Sequence, residues 1–349
     1  MSQLPGQSAE TTGGRIAGLV CCVPARTVRN DEFAAFGDKV EEISKMTGVR
    51  ERRWVAEGET TADLCETAAR HLLDRLAWAP DTVDAVIFIS QTPDYRLPAT
   101  ACALHGRLGL SPGSIAFDVN LGCSGYPYGL WLAMMMIQSG AARRVLLLVG
   151  DTITKVVDAE DRATAMLFGD AGTATAIEAS QPGEDGACFI LGSDGRGERN
   201  LIIPAGAHRT DFEATGPFAD RKLDALYMDG GEIFNFTLKS VPPLIGATLA
   251  AAGRPMEDYG AFLLHQANAF MIRHLAKKAK LPPEQVPINI DRYGNTSSAT
   301  IPLLMTSELA SQLSAGPVRL GMFGFGVGYS WASASLDVGP LACVETIER

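Results

Sequence analysis

Short runs of β-branched and aromatic residues recur along the chain, and each run predicts a buried β-strand. The runs at residues 84–90 (DAVIFIS) and 144–151 (RVLLLVGD) have the length and composition of strands that are covered on both faces. Further strands are predicted by similar runs at 114–120, 261–265, 286–290 and 318–323.

Longer stretches between these runs have the spacing of apolar residues that favours helices. The predicted helices are at 61–78, 126–138, 233–252, 267–280 and 301–313. Strands that alternate with helices indicate an α/β fold built on a central sheet. The stretch at 181–216, rich in Gly, Asp and Arg, is predicted to be the loosest part of the chain, and it lies near the middle.

The two halves of the chain resemble each other weakly. In the first half, the strand at 144–151 leads to a glycine-rich turn at 168–172 and then to another strand. In the second half, the strand at 318–323 leads to a glycine turn at 325–328 and then to another strand. The repeated order of strand, glycine turn and strand hints at an internal duplication.

Composition indicates a folded globular protein and narrows its partners. The chain has 349 residues, of which 46% are hydrophobic and 20% charged, so it is too apolar to be disordered and long enough for two domains. The 30 Lys and Arg against 40 Asp and Glu give a formal charge of −10. This balance argues against nucleic acid as a partner, because phosphates repel net negative charge.

No part of the sequence has the pattern of a targeting or membrane segment. Residues 1–14 are polar and predict a loose tail rather than a signal peptide. The longest apolar run, 129–137, is shorter than the roughly 20 residues of a membrane span. The seven cysteines contain no C-x-x-C pair and the five histidines have no zinc spacing, so we expect a cytoplasmic protein with reduced thiols and no metal.

The segment 120–128, NLGCSGYPY, carries the first candidate for chemistry. Cys123 lies between a predicted strand and a predicted helix, where free backbone N–H groups and the helix dipole favour a thiolate. Gly122 and Gly125 are expected to leave room for a ligand beside the sulfur. A buried, inert cysteine is the alternative at this position, and it is the expectation for the other six cysteines.

Two further segments place polar side chains after predicted strands. His265 opens HQAN, where it can donate a hydrogen bond or shuttle a proton, and Asn295 projects its amide from the turn in DRYGNTSSA. Each residue alone is more often structural. Together with Cys123 they form a set that can polarise a thioester carbonyl. Papain-like proteases use the same residue types, but their cysteine lies near the mature N-terminus in a different local sequence.

Several motifs, in order, make the chain resemble β-ketoacyl-acyl carrier protein synthase III, a condensing enzyme of the thiolase superfamily. They are TGVRERRW, SQTPDYRLPATA, AFDVNLGCSGYPYGL, DRATAMLFGDAGTA, HQAN, DRYGNTSSATIP and GFGVGYSW, and the resemblance spans residues 14–336. It implies the five-layered αβαβα thiolase fold, with a cysteine-bearing half at 14–185 and a second half at 186–349 that carries the histidine and asparagine. It also implies a homodimer.

The resemblance implies an acyltransferase that uses acyl-CoA as a substrate and needs no cofactor. Cys123 attacks acyl-CoA and holds the acyl group. A malonyl-type thioester, usually on acyl carrier protein, then binds with its carbonyl held by His265 and Asn295. Loss of carbon dioxide leaves an enolate that attacks the acyl-cysteine and releases a β-ketoacyl thioester. The backbone amides of Cys123 and Val327 are implied as the oxyanion hole.

The chain departs from the family's pattern at the rim of this site. The late turn reads GFGGG in the family, and here Val327 replaces the middle glycine, so that a β-branched side chain restricts the backbone and narrows the pocket. Glu42 and Ile43 stand where the family places a tryptophan against the CoA adenine. Asn235 and Phe270 stand where the family has a lysine and an arginine that dock the carrier protein.

The remaining expected site residues follow from the same resemblance. Arg162 matches an arginine on the CoA adenine, and Phe234 and Asn268 belong to the substrate-binding set. Leu97 matches a loop residue that crosses the dimer, and it is expected to line the floor of the partner's acyl pocket. Carrier-protein docking is expected at the cations of the helix after HQAN, with an ordinary solvated face as the alternative. These cations are Arg273, Lys277 and Lys278.

Other functions fit parts of the pattern. The main alternative is acyl transfer from Cys123 to an oxygen, nitrogen or different carbon nucleophile. A hydroxymethylglutaryl-type synthase fits less well. A non-catalytic partner subunit would have no chemical need for Cys123, His265 and Asn295 together. The sequence leaves open the acyl starter, the extender, and whether CoA or carrier protein delivers each.

Overall fold

The computed structural model describes residues 6–180 and 186–349. Its strands are β1 (Gln7–Thr11), β2 (Gly14–Val23), β3 (Thr27–Arg29), β4 (Glu51–Arg53), β5 (Ala85–Ile89), β6 (Ile115–Val119), β7 (Arg144–Asp151), β8 (Ala171–Ala179), β9 (Ala187–Ser193), β10 (Leu201–Ile202), β11 (Tyr227–Met228), β12 (Ala261–Leu264), β13 (Val318–Gly326), β14 (Ser330–Val338) and β15 (Cys343–Glu348). Its α-helices are α1 (Lys39–Thr47), α2 (Thr61–Leu76), α3 (Thr100–Leu108), α4 (Gly125–Gln138), α5 (Gly230–Ala252), α6 (Ala269–Lys278), α7 (Ile290–Tyr293), α8 (Thr300–Glu308) and α9 (Ala310–Ala315).

Two large sheets organise the described residues. The first has the strand order β15-β2-β8-β7-β5-β6, and the second has the order β1-β9-β14-β13-β12. In both sheets a parallel pair continues into an antiparallel pair. In the first sheet, β5 runs parallel to β7, which pairs antiparallel with β8. In the second, β12 runs parallel to β13, which pairs antiparallel with β14. The shared order agrees with the duplication that the sequence suggests.

Helices α4 and α8 form a layer between the two sheets. One apolar core joins them to Ile87 and Leu147 of the first sheet and to Leu263 and Met322 of the second. Helices α2 and α3 cover the other face of the first sheet, and α5 and α6 cover the other face of the second. The predicted α/β class and its order of helix, sheet, helix, sheet and helix are confirmed.

The sequence of α4 explains its central position. Its residues, GYPYGLWLAMMMIQ, carry no charge and are apolar on all sides, as is typical of a buried helix. A Cβ on Gly129 would lie 2.7 Å from the side chains of Ile89 and Leu147, so a glycine is needed for this close approach. The packing fixes the first turn of α4, and Cys123 with it. Nowhere in residues 6–180 and 186–349 is a helix long and apolar enough to cross a bilayer.

Most of the predicted strands and helices are confirmed, and the errors have local causes. The strand predicted at 286–290 is wrong, because a 3₁₀ turn (Pro283–Gln285) precedes this stretch and α7 begins at its end. Pro287 has no backbone N–H and cannot donate to a ladder at this position. The helix predicted at 301–313 is interrupted at Leu309, where α8 gives way to α9.

The prediction of a loose N-terminal tail is wrong for part of that segment. Strand β1 pairs antiparallel with β9 at the edge of the second sheet. Its residues, QSAET, have no apolar run, so the strand depends on ladder hydrogen bonds that a local pattern does not reveal. The region predicted to be loose, 181–216, contains β9 and β10, and its residues 181–185 lie outside the described residues.

Each end of the chain contributes an edge strand. The C-terminal β15 pairs parallel with β2 in the first sheet, whereas the N-terminal β1 belongs to the second.

The predicted division of the chain into two halves, between residues 185 and 186, lies next to residues 181–185, which are outside the described residues, and it stays a prediction. The glycine hairpin predicted for the second half is confirmed as β13–β14. In the first half, residues 152–170 form a long connection between β7 and β8 instead of a tight turn.

Candidate active site

Cys123 lies in the short connection between β6 and α4 and is 7% exposed. A Cβ on Gly326 would lie 2.9 Å from its sulfur, and the φ of Gly326 is +158°, so a glycine is needed in β13 beside the thiol. A Cβ on Gly122 would lie 2.4 Å from Gln91 Oε1, and one on Gly125 would lie 2.8 Å from Ile89. The prediction that these two glycines leave room for a ligand is wrong, because protein side chains fill that space.

His265 follows β12 and is 2% exposed. Its Nδ1 lies 2.8 Å from Thr300 Oγ1, and its ring meets the Phe325 ring edge-on at 5.6 Å. Burial lowers the pKa of His265 to about 3, and a hydrogen bond with the Ser297 backbone opposes this shift. The imidazole is therefore neutral over the whole physiological pH range.

Asn295 is held by its backbone and by its side chain. Its N–H donates to the Leu167 carbonyl at 2.9 Å, and its own carbonyl accepts the Gly169 N–H at 3.1 Å. Its Oδ1 accepts the Ser297 N–H at 2.9 Å. Because this bond identifies the side-chain oxygen, Nδ2 and its two hydrogens are left to face a ligand.

One pocket brings the three predicted side chains together. Cys123, His265 and Asn295 all line it, and most of the rest of its wall is apolar, including Leu167, Met271 and Phe325. Its empty volume is about 530 Å³, including the part that opens to solvent. A thiol, an imidazole and an amide donor thus meet in an apolar environment where hydrogen bonds to developing charge are strong.

The thiol of Cys123 is neutral at rest. Burial raises its pKa to about 11, and the nearby carboxylate of Asp151 raises it further, whereas the Val327 N–H and the Ser297 hydroxyl act in the opposite direction. The predicted effect of backbone N–H groups is confirmed in direction, because the N–H groups of Val327 and Cys123 lower the pKa, but burial outweighs them and the predicted thiolate is not the resting form. The Val327 N–H hydrogen-bonds to the sulfur, and the Val327 side chain lies near Gly122; its role in an oxyanion hole stays a prediction.

The two residues predicted for substrate binding on the second half have different positions. Asn268 lines the pocket, but its Oδ1 accepts the Met271 N–H at 2.7 Å and caps α6. Phe234 is not among the residues that line the pocket. It lies in α5 next to Ile233, which does line the pocket, and its ring is 5.8 Å from that of Phe270 and 5.9 Å from that of His274. Phe270 is 55% exposed, so an aromatic patch lies beside the pocket.

The other predicted site residues lie on the surface. Arg162 is exposed in the connection between β7 and β8. Leu97 is 83% exposed, so it does not line a pocket of its own chain. The cations of α6 are exposed as well, and Lys278 Nζ donates to the Leu238 carbonyl at 2.8 Å. These cations are Arg273, Lys277 and Lys278.

Among the described residues, His71, Cys343 and Glu345 offer ligand atoms within 4.8 Å of one another. They lie between α2 and β15, and none of them lines the pocket that holds Cys123. Arg75 Nε is 3.0 Å from Glu345 Oε1. A guanidinium already faces this cluster, which disfavours a metal cation there.

One of the six cysteines that were expected to be buried is not: Cys102 is exposed, so that expectation is wrong for it.

Sequence reasoning missed the polar residues behind the pocket. Asp151, at the end of β7, is fully buried and accepts hydrogen bonds from the Gln91 N–H at 2.7 Å and the Ser298 hydroxyl at 2.6 Å. Burial raises its pKa. Ser297 and Thr300 contact Asn295 and His265, respectively. The one available signal was the dense run of hydroxyl residues in NTSSAT.

The chain is similar to known proteins of one family. Two family models match: 3-oxoacyl-[acyl-carrier-protein] synthase III over residues 117–195, and its C-terminal part over residues 249–338. The β-ketoacyl-[acyl-carrier-protein] synthase III of Alkalilimnicola ehrlichii is 35% identical, over 92% of this chain and 98% of that protein. That of Xanthomonas axonopodis is 36% identical, over 92% of this chain and 97% of that protein.

Solved structures extend the match to the fold. The 3-oxoacyl-(acyl-carrier protein) synthase from Burkholderia xenovorans superposes with a TM-score of 0.97 and 55% identity, covering 99% of both chains. The synthase III from Pseudomonas aeruginosa gives a TM-score of 0.84 and 31% identity, covering 94% of this chain and 99% of that one. The chain therefore belongs to the β-ketoacyl-[acyl-carrier-protein] synthase III family of thiolase-fold condensing enzymes.

Proposed function

We propose that this chain condenses an acyl group from acyl-CoA with a malonyl-type thioester, with loss of carbon dioxide. The observation that carries the proposal is the single apolar pocket lined by Cys123, His265 and Asn295. A nucleophile and two hydrogen-bond donors meet there, which is the set that both halves of the reaction require.

In the first half-reaction, the Cys123 sulfur bonds to the acyl carbon and the bond from that carbon to the CoA sulfur breaks. The thiol proton leaves Cys123 and ends on the departing CoA sulfur, so CoA is released as a thiol. The carbonyl oxygen becomes negative in between, and the amides of Cys123 and Val327 are the proposed donors to it. The contact between the Val327 N–H and the sulfur supports this role.

In the second half-reaction, Asn295 Nδ2 and His265 Nε2 donate to the thioester carbonyl of the malonyl group. The carbon–carbon bond to the carboxylate breaks, and its electrons move into an enolate whose oxygen these donors stabilise. The enolate carbon then attacks the acyl-cysteine carbonyl, the carbon–sulfur bond breaks, and the Cys123 sulfur leaves as a thiolate that takes one proton from solvent to return to the neutral thiol. Removing a preorganised donor of this kind typically costs about 2.7–4 kcal/mol of transition-state stabilisation.

Substrate delivery uses the surface around the pocket in this proposal. Arg162 binds the CoA nucleotide, and the aromatic patch of Phe234 and Phe270 lies beside the entrance. An acyl carrier protein, as an acidic partner, docks on the exposed cations of α6. The protein acts as a homodimer in which Leu97 reaches the partner's pocket, and its 83% exposure in one chain supports this role. The docking cations are Arg273, Lys277 and Lys278.

Intact-protein mass spectrometry tests the proposal. The wild type should gain the mass of an acyl group from a panel of acyl-CoAs, and Cys123→Ala should not. Cys102→Ala is the matched control, because Cys102 is exposed and does not line the pocket. Addition of malonyl-carrier protein should then remove the label as a β-ketoacyl product. A label that only another nucleophile removes would contradict condensation and favour simple acyl transfer.

A further inference from the structure

Arg52 carries a positive charge in the interior of the chain. Its side chain is fully buried, and it donates to neutral oxygens: the carbonyls of Val28 at 3.2 Å and Met166 at 2.6 Å, and Asn30 Oδ1 at 2.7 Å. Nowhere in residues 6–180 and 186–349 does a carboxylate form an ion pair with this cation, and burial lowers its pKa to about 10, which keeps it charged at neutral pH. A buried cation without a carboxylate partner is costly, so its value lies in the segments that its hydrogen bonds join.

One of these segments, residues 166–168, forms part of the wall of the pocket that holds Cys123. Its three consecutive carbonyls each accept a hydrogen bond from a different residue. The donors, in order, are Arg52 Nη2 at 2.6 Å, the Asn295 N–H at 2.9 Å and Trp54 Nε1 at 3.2 Å. Asn295 therefore bonds to the middle carbonyl, while Arg52 and Trp54 hold the carbonyls on either side of it.

The backbone of Asn295 is attached to the same segment at a second point. Its carbonyl accepts the Gly169 N–H at 3.1 Å, and it forms a short parallel bridge with Phe168. The stem of Arg52 packs directly behind this junction, because a Cβ on Gly169 or on Gly294 would lie 3.2 Å from the Cβ of Arg52. A shift of the segment would therefore move the Asn295 backbone, and its side-chain amide with it.

We infer that Arg52 and Trp54 are positioning residues for Asn295, because they fix the carbonyls that flank its backbone acceptor and so set the place of its Nδ2 in the pocket. The inference rests on the proposed function, in which Nδ2 donates to the malonyl carbonyl. Neither Arg52 nor Trp54 lines the pocket itself. Misplacing a reacting or stabilising group by about 1 Å can lower a rate about 100-fold, so such indirect support matters. Arginine suits this position because its planar fork directs N–H groups to several acceptors at once.

Two substitutions remove these hydrogen bonds. Arg52→Met keeps an unbranched stem and removes the donors, whereas Trp54→Phe keeps an aromatic ring beside Phe33, 5.8 Å away, and removes the Nε1–H. We expect the rate of condensation to fall at least about tenfold in Arg52→Met and at least about threefold in Trp54→Phe. Acylation of Cys123 should change less than about twofold in both variants, because it does not use the Asn295 amide. Single-turnover assays followed by intact-protein mass spectrometry measure the two half-reactions separately.

Trp131→Phe is the matched control. Trp131 lies in α4, and its buried Nε1 has no hydrogen-bond partner among the described residues, so the same substitution there removes indole bulk but no hydrogen bond. Both half-reactions should stay at the wild-type rate in this variant. A drop in condensation equal to that of Trp54→Phe would show that the loss of indole bulk is enough to produce the effect, and it would overturn the inference.

Hydrogen exchange measured by mass spectrometry tests the geometry without the reaction. The peptide that contains Asn295 should exchange at least about threefold faster in Arg52→Met and Trp54→Phe than in the wild type and Trp131→Phe, because its bond to the Leu167 carbonyl is less well held. Unchanged exchange of this peptide, or an equal loss in both half-reactions, would overturn the inference. If Arg52→Met does not fold, Trp54→Phe decides alone. A wild type that acylates but never condenses contradicts the proposed function, and the exchange rates then still decide whether Asn295 is positioned in this way.

Discussion

Replacing Asp151 by asparagine is expected to make Cys123 more reactive toward a small electrophile. The thiol has a pKa of about 11, compared with an ordinary value of 9.0, first because it is buried and next because the Asp151 carboxylate repels a thiolate. Asp151→Asn removes that negative charge and leaves the burial unchanged. The pKa of Cys123 should therefore fall, but it should stay above 9.0.

The size of the effect follows from the fraction of thiolate. At pH 8, a pKa of about 11 leaves roughly 0.1% of Cys123 ionised, whereas a pKa of 9.0 leaves roughly 10%. Cys123 in the wild type should then be alkylated roughly 100 times more slowly than an ordinary thiol of equal access. Each unit by which Asp151→Asn lowers the pKa should raise the alkylation rate about tenfold.

The assay is alkylation with iodoacetamide at several pH values, followed by peptide mass mapping. Exposed Cys102 reports the reagent's activity in the same sample. Ser90→Ala is the matched control, because it removes a 3.1 Å hydrogen bond to Asp151 but keeps the carboxylate charge. Cys123 that reacts as fast as Cys102 at pH 8 would refute the raised pKa. An Asp151→Asn variant no faster than Ser90→Ala would refute the role of the charge.

Three further predictions concern the pocket. Gly326→Ala should prevent acylation of Cys123, because the new Cβ would lie 2.9 Å from the sulfur and the φ of residue 326 is +158°. A normal mass gain of this variant with acyl-CoA would contradict the prediction. Asn295→Ala should acylate normally but condense about 100–1000 times more slowly, and an equal loss in both half-reactions would contradict its proposed role. His265, with a pKa of about 3, should give no ionisation in the activity profile between pH 5 and 8. The unfolded histidine takes up a proton near pH 6.5, whereas the folded one stays neutral until about pH 3. The contribution of His265 to the free energy of unfolding should therefore decrease as the pH falls from 6.5 toward 3. Urea unfolding of the wild type and of His265→Gln at several pH values checks this sign.

Much of the site could be predicted because its residues follow strands. Cys123 comes after β6 and His265 after β12, and both strands are short apolar runs that stand out in the sequence. Asn295 was predicted to follow a strand as well, but α7 precedes it. Its position was still found, because the motif around it and the turn at Gly294 do not depend on that element.

The errors arose where one part of the chain depends on a distant part. The thiolate prediction for Cys123 used the local backbone N–H groups and the helix dipole. The N–H groups do lower the pKa of the thiol, but burial and Asp151 from β7 outweigh them. Gly122 was expected to admit a ligand, but Gln91 fills the space beside it. Strand β1 has no apolar run that would predict it, and it forms because its backbone pairs with that of β9 through antiparallel hydrogen bonds.

The sequence by itself determined the α/β class, the order of most strands and helices, and the identity of the three reactive side chains. These features depend on residues that are neighbours in the sequence, such as those of an apolar period, a turn or a contiguous motif, so they can be predicted from the sequence alone. Only the tertiary structure decided which nitrogen of His265 faces Thr300, how Ser297 orients Asn295, and that the Cys123 thiol is neutral. These properties depend on burial and on contacts between β7, β12, β13 and α8, which are distant in the chain and meet only when both sheets close on the central helices.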